Sequence, residues 1–370
     1  MIRPSTPADL PHIMAMIDHS RGIMRANGNT TQWDGYPTEA TICNDIQKGI
    51  SYIVTDDNGR AIGCFTMLDE PEPTYSYIEG GLWLDDSTPY RTIHRLACAP
   101  QAHGVGRQVF QWSESQASSI RVDTHSTNHI MQHIIRQNGY TYCGIVYMSD
   151  GTPRDAYQKM MYHEIDPSIK EYVMQHILPC YEQFDSAHQP DHILRVMAQS
   201  LELAQYYPQL DKNMVFTIAA FHDLGVCEGR ELHHLVSGRI IRQNDDLLQW
   251  FSPEQIETMV QAAEDHRASA TQSPRSLYGM IVAEADRDIE PRTIILRTVE
   301  YGLSYYPQLD KEGHWQRTLQ HLDEKYSPHG YLKFFIPQSR NQAQMRKLQA
   351  LIADKEQLRH LFDEIYESLK

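Results

Sequence analysis

The spacing of apolar residues changes character once along this chain, between residues 161 and 170, and this change limits the fold more than any other feature. Before it, runs with the two-residue period of strands alternate with segments of helical period. After it, from Ile165 to Lys370, the period is helical and is interrupted only by short joints that contain Pro, Gly or Ser. A chain of 370 residues is long enough for two domains. We therefore predict a multidomain protein, with an α/β domain over residues 1–163 and an all-α domain over residues 164–370.

Local patterns predict the elements of the first domain. Thr6 and Pro7 are typical of a helix start, since threonine caps helices and proline suits their first turn. Residues 56–59, Asp-Asp-Asn-Gly, are typical of a hairpin turn. The predicted helices cover residues 7–25, 105–118 and 128–138, and the predicted strands are Ser51–Thr55, Ala61–Leu68, Ile78–Leu84, Tyr90–Ala99, Ser119–Asp123 and Thr141–Met148.

Composition excludes several classes of protein. The formal net charge of −15 disfavours a broad interface with a nucleic-acid polymer. No apolar run reaches the roughly 18 residues of a membrane helix, and the first residues lack the apolar stretch of a signal peptide. Six cysteines without a Cys-x-x-Cys pair indicate reduced thiols, so we expect a cytoplasmic protein that does not bind membranes. Histidine, by contrast, is abundant at 19 residues, most of them after residue 160, which indicates metal or proton chemistry there.

A glycine-bearing loop follows a predicted strand of the first domain. Gln101, Gly104 and Gly106 form the pattern Gln-x-x-Gly-x-Gly directly before a predicted helix. Glycines let successive backbone amides face one point, and a helix N-terminus favours an anion. The loop therefore predicts a diphosphate site, although an ordinary strand-to-helix turn can carry the same glycines.

With this loop, the order of elements over residues 1–160 resembles the GNAT acetyltransferase superfamily. The stretches Ile120–Asn128 and Gln137–Ile145 resemble the second half of that fold. The resemblance implies acetyl-CoA as co-substrate, held between two splayed strands, and a small-molecule amine as acceptor. The residues it implies at the cofactor are Leu96, Ala97 and Cys98 for the pantetheine arm, His103, Gly104, Val105, Gly106 and Arg107 for the pyrophosphate, and Asn128 as a further contact.

Acetyl transfer to an amine needs a base for the amine proton and an acid for the leaving thiolate. His94, on the strand before the loop, is the predicted catalytic base, because imidazole titrates near pH 7. A hydrogen-bonded strand histidine is the alternative, and Glu79 and Tyr140 are weaker candidates for the base. Where many relatives carry a tyrosine acid, this chain has Ile135, so no acid is assigned.

The strongest pattern of the second domain is His222-Asp223 at the end of a predicted helix. An adjacent imidazole and carboxylate offer the nitrogen and oxygen ligands that suit a divalent metal. His192 opens an earlier helix and Asp286 lies in a later one. In order and spacing these positions resemble the HD-domain metal phosphohydrolase superfamily, over about residues 170–300.

This second resemblance implies hydrolysis of a small phosphate ester or nucleotide, assisted by one or two divalent metal ions. The metal ligands it implies are His192, His222, Asp223, His233, His266 and Asp286, with His234 as the alternative to His233. Asp223 would bridge two ions and so act in catalysis. Arg195 is the predicted catalytic arginine, and Arg195, Arg230 and Arg287 are candidates to hold phosphate oxygens. So many imidazoles favour Mn²⁺, Fe²⁺, Co²⁺ or Ni²⁺ over Mg²⁺.

The end of the chain carries apolar residues at helical spacing from Leu348 to Ile365. This stripe predicts C-terminal helices over residues 313–370 that close the all-α domain, with a homodimer face as the alternative. The whole chain is thus predicted to be a bifunctional cytoplasmic enzyme, an acetyl-CoA-dependent N-acetyltransferase fused to a metal-dependent phosphohydrolase. In the alternative, the first domain binds acyl-CoA without turnover and regulates the hydrolase.

Overall fold

The computed structural model describes residues 1–69, 71–86, 88–268 and 272–370. These residues form two compact units, Met1–Tyr162 and His163–Lys370. The first unit combines helices with one sheet, and the second is helical throughout its described part. The predicted fold class, α/β followed by all-α, is confirmed.

A seven-stranded sheet organises the first unit. Every pair of neighbouring strands is antiparallel except β4 and β5, which are parallel. The sheet has the order β1-β2-β3-β4-β5-β7-β6 and is built from β1 (Ile2–Pro4), β2 (Ser51–Thr55), β3 (Ala61–Leu68), β4 (Arg91–Cys98), β5 (Ser119–Thr124), β6 (Thr141–Tyr147) and β7 (Pro153–Met160).

Strands β4 and β5 open a cleft in the middle of this sheet. They pair only at Arg91 with Ile120 and at Thr92 with Arg121, and then diverge. A register shift between β3 and β4 lies opposite Arg95, whose φ is 55°. Such a bulge bends a strand and redirects its side chains, and beyond it Ala97 and Cys98 pair with β3 again but not with β5. The parallel pair therefore leaves the carboxyl ends of β4 and β5 apart.

Four helices pack on this sheet: α1 (Leu10–Ala26), α2 (Glu39–Gln47), α3 (Val105–Glu114) and α4 (His129–Gln137). Val109 and Phe110 of α3 are fully buried with Ile135 of α4 in the main core of the unit. This burial explains why the amphipathic patterns of α3 and α4 could be read from the sequence, whereas α2, whose apolar residues are less clearly gathered on one face, was not predicted.

The predicted strand at Ile78–Leu84 is wrong. The structure has there a loop with one isolated bridge, between Glu79 and Ile145. A Cβ atom at Gly81 would lie 2.0 Å from the carbonyl oxygen of Cys143, so the loop runs closer to β6 than a side chain permits. Conversely, β7 was not predicted, because Arg154, Asp155 and Lys159 give it a polar sequence in spite of its place inside the sheet.

The second unit contains ten α-helices within its described residues, joined by short turns. They are α5 (Pro167–Tyr172), α6 (Pro190–Ala204), α7 (Lys212–Phe221), α8 (His233–Arg242), α9 (Pro253–Asp265), α10 (Leu277–Ala285), α11 (Pro291–Tyr305), α12 (Lys311–Tyr326), α13 (Asn341–Ala353) and α14 (Lys355–Ser368). Leu348, Leu358 and Phe362 of the C-terminal stripe are fully buried against α11 and α12. The stripe is thus used inside this unit. No helix in the described part of the chain is both long and apolar enough to cross a membrane.

Candidate active sites

Helix ends bring the histidines and aspartates of the second unit together. His222, His266 and Asp286 each directly follow the last residue of a helix, namely α7, α9 and α10. His192 lies in the first turn of α6, and His233 is the first residue of α8. Residues that are up to about a hundred positions apart in the chain therefore meet in one buried cluster.

The first group in this cluster combines His192, His222, Asp223 and Asp286, whose ligand atoms all lie within 4.8 Å of one another. His192 Nε2 is 3.2 Å from Asp286 Oδ1, and His222 Nε2 is 3.2 Å from Asp223 Oδ2. The second group combines Asp223, His233 and His266. Asp223 Oδ1 lies 3.3 Å from His233 Nε2 and 3.2 Å from His266 Nε2. The two oxygens of one carboxylate thus belong to two neighbouring groups.

Backbone carbonyls orient three of the imidazoles. The Nδ1 atoms of His222, His233 and His266 lie 2.8, 2.7 and 2.6 Å from the carbonyl oxygens of the residues three positions earlier. A neutral ring that donates from Nδ1 presents the bare lone pair of Nε2 to the cluster. The Nε2 atoms of His233 and His266 are only 3.1 Å apart, so two such lone pairs would repel each other without a cation or a proton between them.

The buried carboxylates and imidazoles of the cluster shift each other's pKa values. Burial disfavours the charged form of Asp223, but His222, His192 and His266 lower the pKa of its carboxyl well below the usual value. Burial likewise opposes protonation of His222, yet Asp223 and Asp286 raise the pKa of this imidazole well above its usual value. A cation that binds here therefore finds an ionised carboxylate and displaces a proton from imidazole.

These residues fit a pair of divalent metal ions. Ligands at right angles around an ion, about 2.1 Å from it, are about 3.0 Å apart, close to the distances in both groups. Two buried atoms of the cluster, His222 Nε2 and Asp223 Oδ1, have no hydrogen-bond partner in the structure. A buried polar atom without a partner is costly, and metal coordination would satisfy both.

Other predicted residues lie around the cluster. His234 is outside both groups, and burial together with His266 and His233 lowers its pKa to about 4. Arg195 is half-buried on α6 and does not line the adjoining cavity. It contributes instead, after Arg297, to lowering the pKa of the Asp288 carboxyl against the effect of burial.

Sequence reasoning missed His188, which borders the cluster. Its Nε2 atom is 3.8 Å from Asp223 Oδ2, and its Nδ1 atom is 2.8 Å from Asp185 Oδ1. Asp185 also pairs with Arg230 at 2.6 Å. The only signal in the sequence was the three-residue spacing of Asp185 and His188, which is too common to identify a site.

A cavity of about 630 Å³ adjoins the cluster, since Asp286 is part of its wall. Two of the predicted phosphate ligands, Arg230 and Arg287, also line it. The exposed rings of Tyr301 and Tyr305 on α11 stack at 4.4 Å between centroids and line the same cavity. The metal cluster is thus open to a space of the size that small ligands occupy.

The first unit has a cavity of about 550 Å³ in the cleft between β4 and β5. Seven of the predicted residues line it: His94, Leu96, Ala97, Cys98, Val105, Gly106 and Asn128. The other three are exposed: His103 and Gly104 on the loop that leads into α3, and Arg107 in the first turn of α3. The Asn128 side chain accepts a hydrogen bond from Met131 N at 3.2 Å and so caps α4.

Two glycines shape the loop before α3 and the start of that helix. Gly104 caps α3 with a φ of 73°, a left-handed conformation that glycine adopts without strain. A Cβ atom at Gly106 would lie 2.9 Å from Cγ2 of Ile134 on α4, so glycine allows the two helices to approach. At Gly104 a Cβ atom would meet nothing within 4 Å, so there is open space beside the start of α3.

His94 lies in this cavity between two carboxylates that sequence reasoning missed. Its Nε2 atom is 3.4 Å from Glu72 Oε2, and its Nδ1 atom is 3.9 Å from Asp123 Oδ1. The His94 imidazole lowers the pKa of Glu72 to about 2, helped by Thr74 and opposed by burial. Glu79 and Tyr140, the alternative bases, do not line the cavity.

Solved structures provide the comparison for the first unit. An acetyltransferase of the GNAT family from Streptococcus agalactiae 2603 is 35% identical over 43% of this chain and 94% of its own, with a TM-score of 0.40. This chain belongs, through its first unit, to the GNAT acetyltransferase family. A GNAT-family acetyltransferase from Listeria monocytogenes 4b F2365 is 18% identical over 43% of this chain and 94% of its own, with a TM-score of 0.35. A phosphinothricin acetyltransferase from Sinorhizobium meliloti, solved with AcCoA, is 13% identical over 43% and 87%, with a TM-score of 0.32.

The second unit matches a family model, that of the HD domain, over residues 191–289. All six residues of the two ligand groups lie within this match. The predicted combination of a GNAT unit and an HD domain is confirmed, and both are domains of enzyme families. No curated protein matches the chain in sequence.

Proposed function

We propose that this chain is a bifunctional enzyme, in which the HD unit hydrolyses a small phosphate ester or nucleotide and the GNAT unit acetylates a small-molecule amine. The observation that carries the hydrolase is the position of Asp223, whose Oδ2 and Oδ1 atoms belong to two groups of metal-ligating side chains. The same carboxylate would therefore bridge two ions. The observation that supports the transferase is the cleft between β4 and β5 together with the cavity that it contains.

In the HD unit, His192, His222 and Asp286 would hold one divalent ion and His233 and His266 the other, with Asp223 between them. Bound divalent ions lower the pKa of a coordinated water molecule and polarise a phosphoryl oxygen. Arg230 would bind oxygens of the reacting phosphate from the wall of the cavity, which Arg287 also lines. Arg195, the predicted catalytic arginine, does not line the cavity and has no role in this proposal.

Two features bear on the ester and on the metal. The stacked Tyr301 and Tyr305 offer a flat aromatic surface, which favours a nucleotide over an ester without rings. The ligands of the cluster are four imidazoles and two carboxylates, which favours Mn²⁺, Fe²⁺, Co²⁺ or Ni²⁺ over Mg²⁺.

In the GNAT unit, the amides at the start of α3 would bind the pyrophosphate of acetyl-CoA, and the backbone of Leu96, Ala97 and Cys98 would face its pantetheine arm. The amine nitrogen attacks the thioester carbon, its proton passes to the His94 imidazole, and the carbon–sulfur bond breaks to release thiolate. Glu72 would orient His94 and stabilise the imidazolium that forms. Ile135 is fully buried, so the acid must come from elsewhere.

The test of the hydrolase is metal analysis of the purified chain beside a screen of phosphate esters and nucleotides. We expect up to two transition-metal ions per chain, phosphate release, and loss of both when a chelator is added. A protein that stays without metal and inert after metal is added back would contradict the proposal.

The test of the transferase is release of free thiol from acetyl-CoA with a panel of amines. We expect turnover that His94→Gln lowers by a factor of about 100 or more. Gly106→Trp should abolish it, because a side chain at Gly106 collides with Ile134. Acetyl-CoA that binds without turnover and changes the rate of phosphate release would instead support a sensor, the role that the missing tyrosine at Ile135 suggests.

A further inference from the structure

Helices α11 and α12 contribute one wall of the HD cavity. Both helices follow residue 289, where the match to the HD domain ends. They contribute Arg297, Arg317 and Lys325 to the lining, beside Arg287. This wall therefore comes from residues outside the matched HD domain, and it contributes three basic side chains to the cavity.

Arg287 is the most unusual member of this set. It is 7% exposed, and its Nε and Nη1 atoms have no hydrogen-bond partner. The nearest carboxylate oxygen to Nη1 is Oε2 of Glu284 at 3.5 Å, and that oxygen already accepts a hydrogen bond from Phe335 N at 2.8 Å. A buried guanidinium with unused donors in a cavity wall is costly unless a ligand accepts from it.

The surrounding groups also indicate a positive potential. Burial lowers the pKa of Lys325, and Arg297 and Arg287 lower it further against the effect of Asp286. Burial, Lys325 and Arg317 lower the pKa of His321 to about 4. The cavity has four acidic lining residues against five arginine and lysine residues: Asp288, which pairs with Arg297 at 3.3 Å, Asp185, which pairs with Arg230, the ligand residue Asp286, and Glu300. Lys325 has no carboxylate within ion-pair distance among the described residues.

We propose that Arg287, Arg297 and Lys325 form a second anion subsite, which binds a phosphate or carboxylate group of the substrate other than the group that reacts at the metals. That the ligand is a substrate depends on the proposed hydrolase activity. The subsite itself is inferred from the cavity and its lining residues alone. A space of about 630 Å³ exceeds what one phosphate needs, and its cationic wall and its metal ligand Asp286 belong to the same cavity. The expected substrate therefore carries two anionic groups.

Binding to the metal-free chain tests the subsite without catalysis. Inorganic pyrophosphate is titrated into chelator-treated protein by calorimetry, for the wild type, Lys325→Gln, Arg297→Gln and the control Lys347→Gln, an exposed lysine on α13. We expect the first two variants to weaken binding at least tenfold and the control to leave it unchanged. Equal affinities in all four proteins, each with an unchanged melting temperature, would overturn the subsite. The same titration with malonate distinguishes a carboxylate from a phosphate as the preferred group.

Kinetics of the metal-loaded chain separate this proposal from that of the hydrolase. We expect Lys325→Gln to lower kcat/KM at least tenfold for a nucleoside diphosphate and to leave p-nitrophenyl phosphate within a factor of two. An equal loss for both esters would overturn the subsite while the hydrolase stands. If neither ester reacts but pyrophosphate binding depends on Lys325, the hydrolase fails and the subsite stands.

Discussion

The cluster of histidines and aspartates in the second unit and the cleft between β4 and β5 in the first are built from different parts of the polypeptide, side chains in one and backbone in the other. The cluster consists of side chains at helix ends, and three of its imidazoles are oriented by hydrogen bonds to backbone carbonyls three residues earlier. The cleft is formed mainly by backbone. It consists of two strands that pair at only two positions and of the start of α3, where glycine residues carry no side chain. The first site should therefore be lost through single side chains, and the second mainly through changes of backbone geometry.

The largest expected effect is that of Asp223→Ala. Because both oxygens of Asp223 belong to ligand groups, its removal should eliminate metal from both positions and reduce phosphate release by about 1000-fold or more. Metal analysis and a phosphatase assay measure this, and Asp323→Ala, an exposed aspartate on α12, is the control. Acetyl transfer by the same variant should be unchanged. A variant that keeps its metal would mean that Asp223 is not a ligand.

His94→Gln should have the next largest effect, now on the other site. A positioned base typically contributes a factor of about 100 or more, so we expect kcat of acetyl transfer to fall by that amount. The affinity for acetyl-CoA should stay nearly constant, since backbone groups bind the cofactor. A fall in affinity with unchanged kcat would show that His94 shapes the cleft instead of accepting the proton.

What could be predicted from the sequence follows the same contrast. The cluster residues were found because His222 and Asp223 are adjacent and the others follow in a family order, and the structure brings all six together. Glu72 and Asp123 were not found, because they reach His94 from a loop and from a neighbouring strand with no fixed spacing. Side chains that meet through tertiary contacts alone leave no pattern along the chain.

The cavity walls show the same limit. Arg297 and Lys325 lie on ordinary amphipathic helices, where a basic residue is usually a solvent-exposed charge. Only the packing of α11 and α12 directs them to one space with Arg287. In the fold, likewise, β7 was missed because its partners and not its polar sequence make it a strand.

Thermal unfolding should sharpen the comparison at a smaller scale. A ligand present at a thousandfold excess over its Kd stabilises by about 4 kcal/mol, which corresponds to a shift on the order of 10 °C for a unit of this size. Measured by calorimetry, a chelator should lower the melting temperature of one unfolding transition, and coenzyme A should raise the melting temperature of another. If each ligand moves both transitions, the two units are coupled and the sites are not independent.

The smallest effect concerns acid stability of the first unit and uses Glu72→Gln. The folded chain holds the pKa of Glu72 at about 2, below its ordinary 4.5, chiefly through His94. The unfolded chain therefore binds the proton more readily, so this carboxylate stabilises the fold above about pH 4.5, and the contribution is lost as the pH falls toward 2. After solvent screening we expect this contribution to the free energy of unfolding to be about 1 kcal/mol.

Urea unfolding at pH 6 and pH 3.5 should show less acid sensitivity in Glu72→Gln than in the wild type or in Asp57→Asn, a control in the exposed hairpin turn. Equal acid sensitivity would mean that the ion pair with His94 does not persist in solution, and the orienting role of Glu72 would fall with it.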